Sequence, residues 1–86
     1  MQISYSNKFK KQYKKFPPKL QQQTKARIEL WQEQPNHPLL RLHRLEGKLS
    51  NFYSINITGD IRALYEVIGE AVVIYQFIGT HSQLYG

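Results

Sequence analysis

The hydrophobic residues change their period midway along the chain, and this change limits the possible folds more than any other feature of the sequence. In the first half, aromatic residues recur at the i, i+4 and i+7 positions of a helix: Phe9, Tyr13 and Phe16. In the second half, apolar and polar residues alternate, beginning at residues 53–57. A period near 3.6 predicts helices with one apolar face, and a period of two predicts strands.

Local signals give the bounds of the amino-terminal elements. Residues 3–5 are apolar enough for a short strand, and Ser6 or Asn7 can cap the helix that follows. Pro17-Pro18 ends this helix and suits the first turn of a second helix, which we expect over residues 18–34.

Two turn signals divide the second half into strands. Thr58-Gly59-Asp60 and Gly69-Glu70 separate three predicted strands, over residues 53–57, 61–67 and 72–78. Each predicted helix has a single apolar face, which suits packing against one sheet. We therefore expect an α+β fold of order β-α-α-β-β-β, in which two amino-terminal helices pack on one face of an antiparallel-rich four-stranded sheet.

Composition bounds the kind of protein. The chain has 86 residues, a net charge of +6 and no cysteine, and we expect one domain over residues 1–86. A basic balance favours an anionic partner such as nucleic acid, and the lack of cysteine is typical of a reducing compartment. The start of the chain has no apolar signal segment, and no apolar run is long enough to cross a bilayer. These features predict a soluble cytoplasmic protein with no membrane partner.

Strand register gathers polar residues at one end of the predicted sheet. If the second hairpin turn has two residues, Arg62 faces Phe77 and Asp60 falls near Gly79. A symmetric turn at residues 58–60 also puts Asn56 opposite Arg62. The candidate site therefore comprises Asn56, Asp60, Arg62 and the segment that leads to His81.

These residue types suit reactions of phosphate esters. The guanidinium fork of Arg62 fits a phosphate, and the imidazole of His81 can exchange a proton near neutral pH. Asp60 could orient an imidazole or act as a base. The histidines are not at metal-ligand spacing, so we expect neither a metal site nor a cofactor, and we interpret His37 as structural.

The same residues also have structural interpretations. Asp60 is a common turn residue, and Arg62 could pair with Glu66 on the same strand face. His81 could be a surface histidine, and Tyr85 could anchor the carboxyl end of the domain.

Three segments together carry a family resemblance: H-x-L-x-G at residues 43–47, D-x-R-x-x-Y at residues 60–65, and G-T-H-x-x-L-Y at residues 79–85. In this order and spacing, the chain resembles the RelE/YafQ-like ribonuclease toxins of bacterial type II toxin–antitoxin systems over nearly its whole length. The resemblance implies a metal-independent endoribonuclease that cuts messenger RNA, typically on the ribosome, by attack of a 2′-hydroxyl on the adjacent phosphate. It implies catalytic roles for His81, Arg62, His43 and Asp60.

The resemblance also implies how RNA is held. Tyr85 would stack on a base and position it. Asn56 stands where YafQ-like members place another histidine, and an amide can bind RNA but cannot shuttle a proton near pH 7. Basic residues of the first helix and beside His43 would contact phosphates of messenger and ribosomal RNA: Lys8, Lys10, Lys11, Lys14, Lys15, Arg41 and Arg44.

The implied partner is an acidic antitoxin, which would cover the basic surface. The toxin would contact DNA only indirectly, through this antitoxin. Two other functions remain open for a chain of this kind. One is a ParE-like toxin that inhibits DNA gyrase and has no active site, and the other is a degenerate member that only binds an antitoxin.

Overall fold

The computed structural model describes residues 2–85 and contains the predicted helices and strands. Its elements in chain order are β1 (Gln2–Tyr5), α1 (Asn7–Lys14), α2 (Pro18–Glu33), β2 (His43–Arg44), β3 (Tyr53–Asn56), β4 (Ile61–Ile68), β5 (Val72–Thr80) and α3 (His81–Tyr85). Short 3-10 turns at Pro38–Leu40 and Gly47–Leu49 flank β2. No helix among these residues is long and apolar enough to cross a membrane.

The sheet has five strands in the order β1-β5-β4-β3-β2. β1 runs parallel to β5, and the other neighbours are antiparallel. The α+β class is confirmed, but the expected number of four strands is wrong because β2 adds a fifth. β2 contains only two residues, His43 and Arg44, which is too short a segment to show an alternating pattern.

Capping and side-chain contacts form the helical hairpin. The hydroxyl of Ser6 accepts a hydrogen bond from the Phe9 amide at the start of α1, and it donates to the Gln76 carbonyl of β5. Pro18 opens α2, where a missing N–H is no loss. The side-chain amide of Gln21 donates hydrogen bonds to the backbone carbonyls of Tyr13 and Phe16, and these bonds connect α2 to the end of α1.

The core lies between the helices and one face of the sheet. Trp31 of α2 packs edge-on against Tyr65 and Tyr75, with ring centroids 4.9 and 5.6 Å apart, and its indole N–H donates to the Tyr65 hydroxyl. Ala63 and Tyr65 of β4 point into this core. Side chains alternate along a strand, so Arg62 and Leu64 face the opposite side of the sheet.

The β4–β5 hairpin differs from the prediction. Its loop has three residues rather than two, because Ile68 pairs with Val72, and Gly69 supplies the positive φ of +63° that this loop needs. A bulge between Leu64 and Tyr65 then shifts the register again.

The three-residue loop and the bulge together change which residue of β5 pairs with Arg62 of β4. Arg62 pairs with Gly79 and not with Phe77, so that part of the prediction is wrong. Ile61, the residue after Asp60, pairs with Thr80, so Asp60 does not lie opposite Gly79. The predicted pairing of Asn56 with Arg62 is confirmed.

Candidate active site

A cavity of about 410 Å³ lies at the end of the sheet, on the side facing away from the core. It is lined by His43, Leu45, Glu46, Leu49, Arg62, His81 and Tyr85. Each of these comes from β2 or the turn after it, from β4, or from α3. The structure thus brings His43, Arg62, His81 and Tyr85, all candidates from the sequence, to one place.

Arg62 is held by backbone atoms rather than by an acid. Its Nη1 donates to the carbonyl oxygens of Thr58 and Gly59, at 3.3 and 3.0 Å. The carboxylate of Glu66 instead accepts hydrogen bonds from the amides of Asn51 and Gln76, each at 2.9 Å. The Arg62–Glu66 pairing considered from the sequence therefore does not form, and the guanidinium keeps donors for an anion in the cavity.

His43 is oriented by a neighbouring carbonyl. Its Nδ1 lies 2.9 Å from the carbonyl oxygen of Arg41. A carbonyl only accepts, so this contact assigns a hydrogen to Nδ1 and leaves a lone pair on Nε2 of the neutral ring. Arg41 itself has a left-handed φ of 47°, at the position where the 3-10 turn Pro38–Leu40 ends.

His81 begins α3 and is exposed, and its ring packs against Tyr85 one turn later. The two ring centroids are 4.5 Å apart with an interplanar angle of 63°. Gln83 fixes the start of α3 to the end of β5. Its side-chain Oε1 accepts a hydrogen bond from the backbone N–H of Thr80, and its backbone N–H donates to the Thr80 hydroxyl. A Cβ at Gly79 would lie 2.6 Å from Gln83 Oε1, so glycine allows this close approach.

Asp60 and Asn56 are not among the side chains that line the cavity. Asp60 is exposed in the turn, where Thr58 and not Asp60 makes the side-chain hydrogen bonds to the backbone. Asn56 is half-buried opposite Arg62 on the same side of the sheet.

The two arginines beside His43 lie apart from the cavity lining. Arg44 follows His43 in β2 and points to the other side, where its guanidinium lies 5.9 Å from the Tyr53 ring and donates to the Ser50 carbonyl. Arg41 contributes its backbone carbonyl, as described above.

The lysines of α1 spread over several sides of the helix. Lys8 lies 5.4 Å above the Phe77 ring, on the same side of the sheet as the cavity. Lys10 and Lys14 border a separate groove between α1 and α2. Lys11 and Lys15 are exposed and line neither of these cavities.

Glu46 is an ionisable residue of the cavity lining that the sequence candidates omitted. It lies within the H-x-L-x-G segment, three residues after His43, so that segment contained the available signal. Leu45 and Leu49 supply the apolar part of the lining. Among residues 2–85, no group of three or more histidine, cysteine or acidic side chains is placed to hold a metal ion.

Burial changes the titration of tyrosines in the aromatic core. Desolvation by burial raises the pKa of Tyr75, and the neighbouring Tyr65 and Tyr5 raise it further. Burial likewise raises the pKa of Tyr65, although the hydrogen bond from Trp31 partly opposes it. The cavity itself combines two exposed imidazoles, one guanidinium and one carboxylate, which can bind a phosphate and move protons.

Similar solved structures define the class of protein. The fold matches YafQ from E. coli strain BL21(DE3) with a TM-score of 0.82 and 19% identity, covering 98% of this chain and 97% of that chain. It matches a metal-bound toxin from Helicobacter pylori with a TM-score of 0.74 and 30% identity, covering 99% of both chains. It also matches the E. coli DinJ–YafQ toxin–antitoxin complex, with a TM-score of 0.75 and 20% identity over 98% of this chain and 96% of that chain. The class is that of small bacterial toxins.

The sequence places the chain more narrowly. The family described as bacterial toxin of type II toxin-antitoxin system, YafQ, matches residues 1–86, and the chain belongs to this family. No curated protein sequence matches it. The predicted family is therefore confirmed.

Proposed function

We propose that this toxin is an endoribonuclease that cleaves messenger RNA on the ribosome, without a metal ion in the chemical step. The observation that carries the proposal is the cavity in which His43, His81 and Arg62 meet. Two imidazoles supply a base and an acid, and a guanidinium supplies positive charge. Cleavage of RNA next to its own 2′-hydroxyl needs these three functions.

The reaction is an internal transfer of the phosphoryl group. A base takes the proton of the 2′-hydroxyl as its oxygen bonds to the adjacent phosphorus. The bond from phosphorus to the 5′-oxygen breaks, and an acid gives that oxygen a proton. The products are a 2′,3′-cyclic phosphate and a 5′-hydroxyl, so no external oxidant, reductant or water is consumed.

The geometry favours particular roles for the two histidines. His43 presents Nε2 as an acceptor, which suits the base, because Nδ1 already donates to the Arg41 carbonyl. His81, which packs against Tyr85, is then the acid for the leaving oxygen. Arg62 would stabilise the additional negative charge of the phosphorane, and such a donor typically contributes about 10²–10³ in rate. Asp60 would orient the substrate from the turn, and Tyr85 would stack on a base.

The net charge of +6 supports binding to RNA phosphates by the exposed basic residues. Lys8 is the best placed of the α1 lysines, since it lies on the same side of the sheet as the cavity. We assign the toxin to the cytoplasm as one domain, with contact to DNA only through its antitoxin.

We further propose that an acidic antitoxin binds the groove between α1 and α2. This groove of about 500 Å³ has an apolar floor of Phe9, Tyr13 and Ile28, and its rim carries Lys10, Lys14, Lys25 and Glu29. An excess of lysines around apolar side chains complements an acidic segment with apolar anchors. The DinJ–YafQ complex shows that a similar toxin has a protein partner. Lys25→Glu should weaken the complex with the cognate antitoxin, whereas Lys19→Glu on the same helix should not.

The test of the nuclease is expression of His81→Ala beside the parent and His37→Ala. His37 is the matched control, because it accepts a hydrogen bond from the Leu39 amide in a turn away from the cavity. The parent and His37→Ala should arrest growth and leave codon-phased cuts in transcripts, and His81→Ala should do neither. Equal cutting by His81→Ala would refute its role. Growth arrest with intact transcripts and DNA damage would favour the gyrase alternative instead.

A further inference from the structure

A second cavity lies beside the candidate active site, on the same side of the sheet. It has a volume of about 380 Å³ and is bordered by α1, the sheet and α3. Leu49 lines both cavities, and α3 borders both: His81 and Tyr85 face the first, while Gln83 and Leu84 face the second. The two cavities therefore adjoin at Leu49 and α3.

The floor of this second cavity is an aromatic ring with a cation above it. Phe77 is half-buried, and Phe52 packs against it with ring centroids 5.5 Å apart. The Lys8 ammonium lies 5.4 Å from the centroid of the Phe77 ring. A ring that lines a cavity beneath a flexible lysine can accept a flat ligand, because the lysine can move aside to pair with a charge on that ligand.

Amide groups line the rim of the same cavity. Gln12 of α1 and Gln83 of α3 both border it. Gln83 uses Oε1 to accept from the Thr80 amide, which leaves its side-chain NH₂ group to donate. Donors and acceptors of this kind match the edges of nucleobases, whereas an apolar peptide would leave them unsatisfied.

We propose that this cavity binds a nucleotide next to the one that is cleaved, in the same RNA chain. Its base would stack on Phe77, Gln12 and Gln83 would contact the base edge, and Lys8 would pair with a phosphate. The inference rests on the proposed ribonuclease function, since it assigns a neighbouring subsite to the same substrate. Two adjoining subsites would give the toxin a preference at a position beyond the cleaved bond.

The test measures whether the Phe77 ring and one particular base of the RNA contribute to binding together. Ribosomes are programmed with messenger RNA whose A-site codon is 2′-deoxy, which prevents the attack, and each position around the codon is made abasic in turn. The dissociation constants of the parent and of Phe77→Leu are measured for every RNA. If Phe77 stacks on one base, removing the ring or that base alone should each weaken binding roughly tenfold, and removing both should cost no more than one removal.

Phe16→Leu is the matched control, because this ring packs against Tyr13 and the core and does not line the cavity. Its effect should add to that of every abasic position. Lys8→Gln should weaken binding and lower its salt dependence, and Lys11→Gln should change the salt dependence less.

The outcomes separate this proposal from the proposed function. If unmodified messenger RNA is cut but no position couples to Phe77, the second subsite is wrong and the nuclease stands. If one position couples but nothing is cut, the subsite stands and the nuclease is wrong. If the toxin does not bind the programmed ribosome, both are wrong.

Discussion

The Nδ1 nitrogen of His43 lies 2.9 Å from the carbonyl oxygen of Arg41, two residues earlier in the chain. Arg41 has a left-handed φ of 47° at the end of the 3-10 turn Pro38–Leu40. Such a backbone conformation costs on the order of 1 kcal/mol in a residue with a side chain. Because the carbonyl can only accept, this contact leaves Nε2 of the neutral His43 ring free to accept a proton.

The first prediction distinguishes the role of Nδ1 in the His43 ring from the role of Nε2, by replacing the residue with asparagine. In His43→Asn, the side-chain amide can still donate to the Arg41 carbonyl, but no acceptor remains at the Nε2 position. Because a general base is lost, we expect the maximal single-turnover cleavage rate to fall about 10²- to 10⁴-fold. The thermal unfolding midpoint should stay close to that of the parent. A variant that cleaves at the parental rate would show that His43 is not the base.

The second prediction concerns the shape of the cation and not only its charge. Arg62→Lys keeps one positive charge but removes the planar fork that faces the cavity, so the transition state loses directed donors. We expect the maximal cleavage rate to fall about 10²-fold, with a smaller change in the half-saturating RNA concentration.

Arg27→Lys is the control for this substitution. Arg27 lies on α2 and donates to the Leu39 carbonyl, away from the cavity. Its replacement should leave cleavage unchanged. If Arg62→Lys also cleaves normally, charge alone suffices and the proposed contact with the phosphorane is incorrect.

The third prediction distinguishes the ring of Tyr85 from its hydroxyl. The ring contacts His81 at a centroid distance of 4.5 Å, so Tyr85→Phe should retain both this contact and stacking on a base. Tyr85→Ala should lose both and weaken RNA binding roughly tenfold, as is usual for a base-stacking ring. Fluorescence of 2-aminopurine placed in the codon measures the stacking. Equal quenching by Tyr85→Ala and the parent would contradict it.

The fold was largely predictable from the sequence, because the spacing of hydrophobic residues shows which face of each helix or strand is buried. The second helix was expected over residues 18–34 and runs from Pro18 to Glu33, and the Asn56–Arg62 pairing was predicted correctly. The register of β5 was not predictable, because the bulge between Leu64 and Tyr65 leaves no signature in the alternation.

The site was only partly predictable, for a related reason. Arg62 and His81 came together through strand register, and both line the cavity. His43 was reached through the family resemblance alone, since its two-residue strand carries no pattern. Glu46 was not among the candidates, although it lies within the H-x-L-x-G segment, and the structure shows that it borders the cavity.

The fourth prediction asks what this carboxylate does. A negative charge beside a phosphate opposes binding, and His43 and His81 already supply a base and an acid. We therefore expect Glu46→Gln to bind RNA several-fold more tightly with little change in the maximal cleavage rate. Equilibrium binding to uncleavable RNA and single-turnover cleavage separate the two quantities. A rate loss near 10³-fold would instead identify Glu46 as the base.

The fifth prediction concerns the aromatic core. The hydroxyl of Tyr75 is buried and has no hydrogen-bond partner among residues 2–85, so it loses its hydration on folding without compensation. We expect Tyr75→Phe to raise the free energy of unfolding by about 1 kcal/mol near pH 7. Denaturant unfolding followed by circular dichroism measures this difference. A loss of stability would mean that the hydroxyl has a partner in solution.

The same variant should change how stability depends on alkaline pH. Burial raises the pKa of Tyr75, so above about pH 10 the phenol ionises in the unfolded chain while it remains neutral in the folded protein. The unfolded state then binds fewer protons, and the free energy of unfolding falls as pH rises. Tyr75→Phe should lose less stability between about pH 9 and 11 than the parent does. The dependence should not vanish, because burial also raises the pKa of Tyr65 and Tyr5. Parallel curves for the two proteins would show that Tyr75 is not the group that titrates.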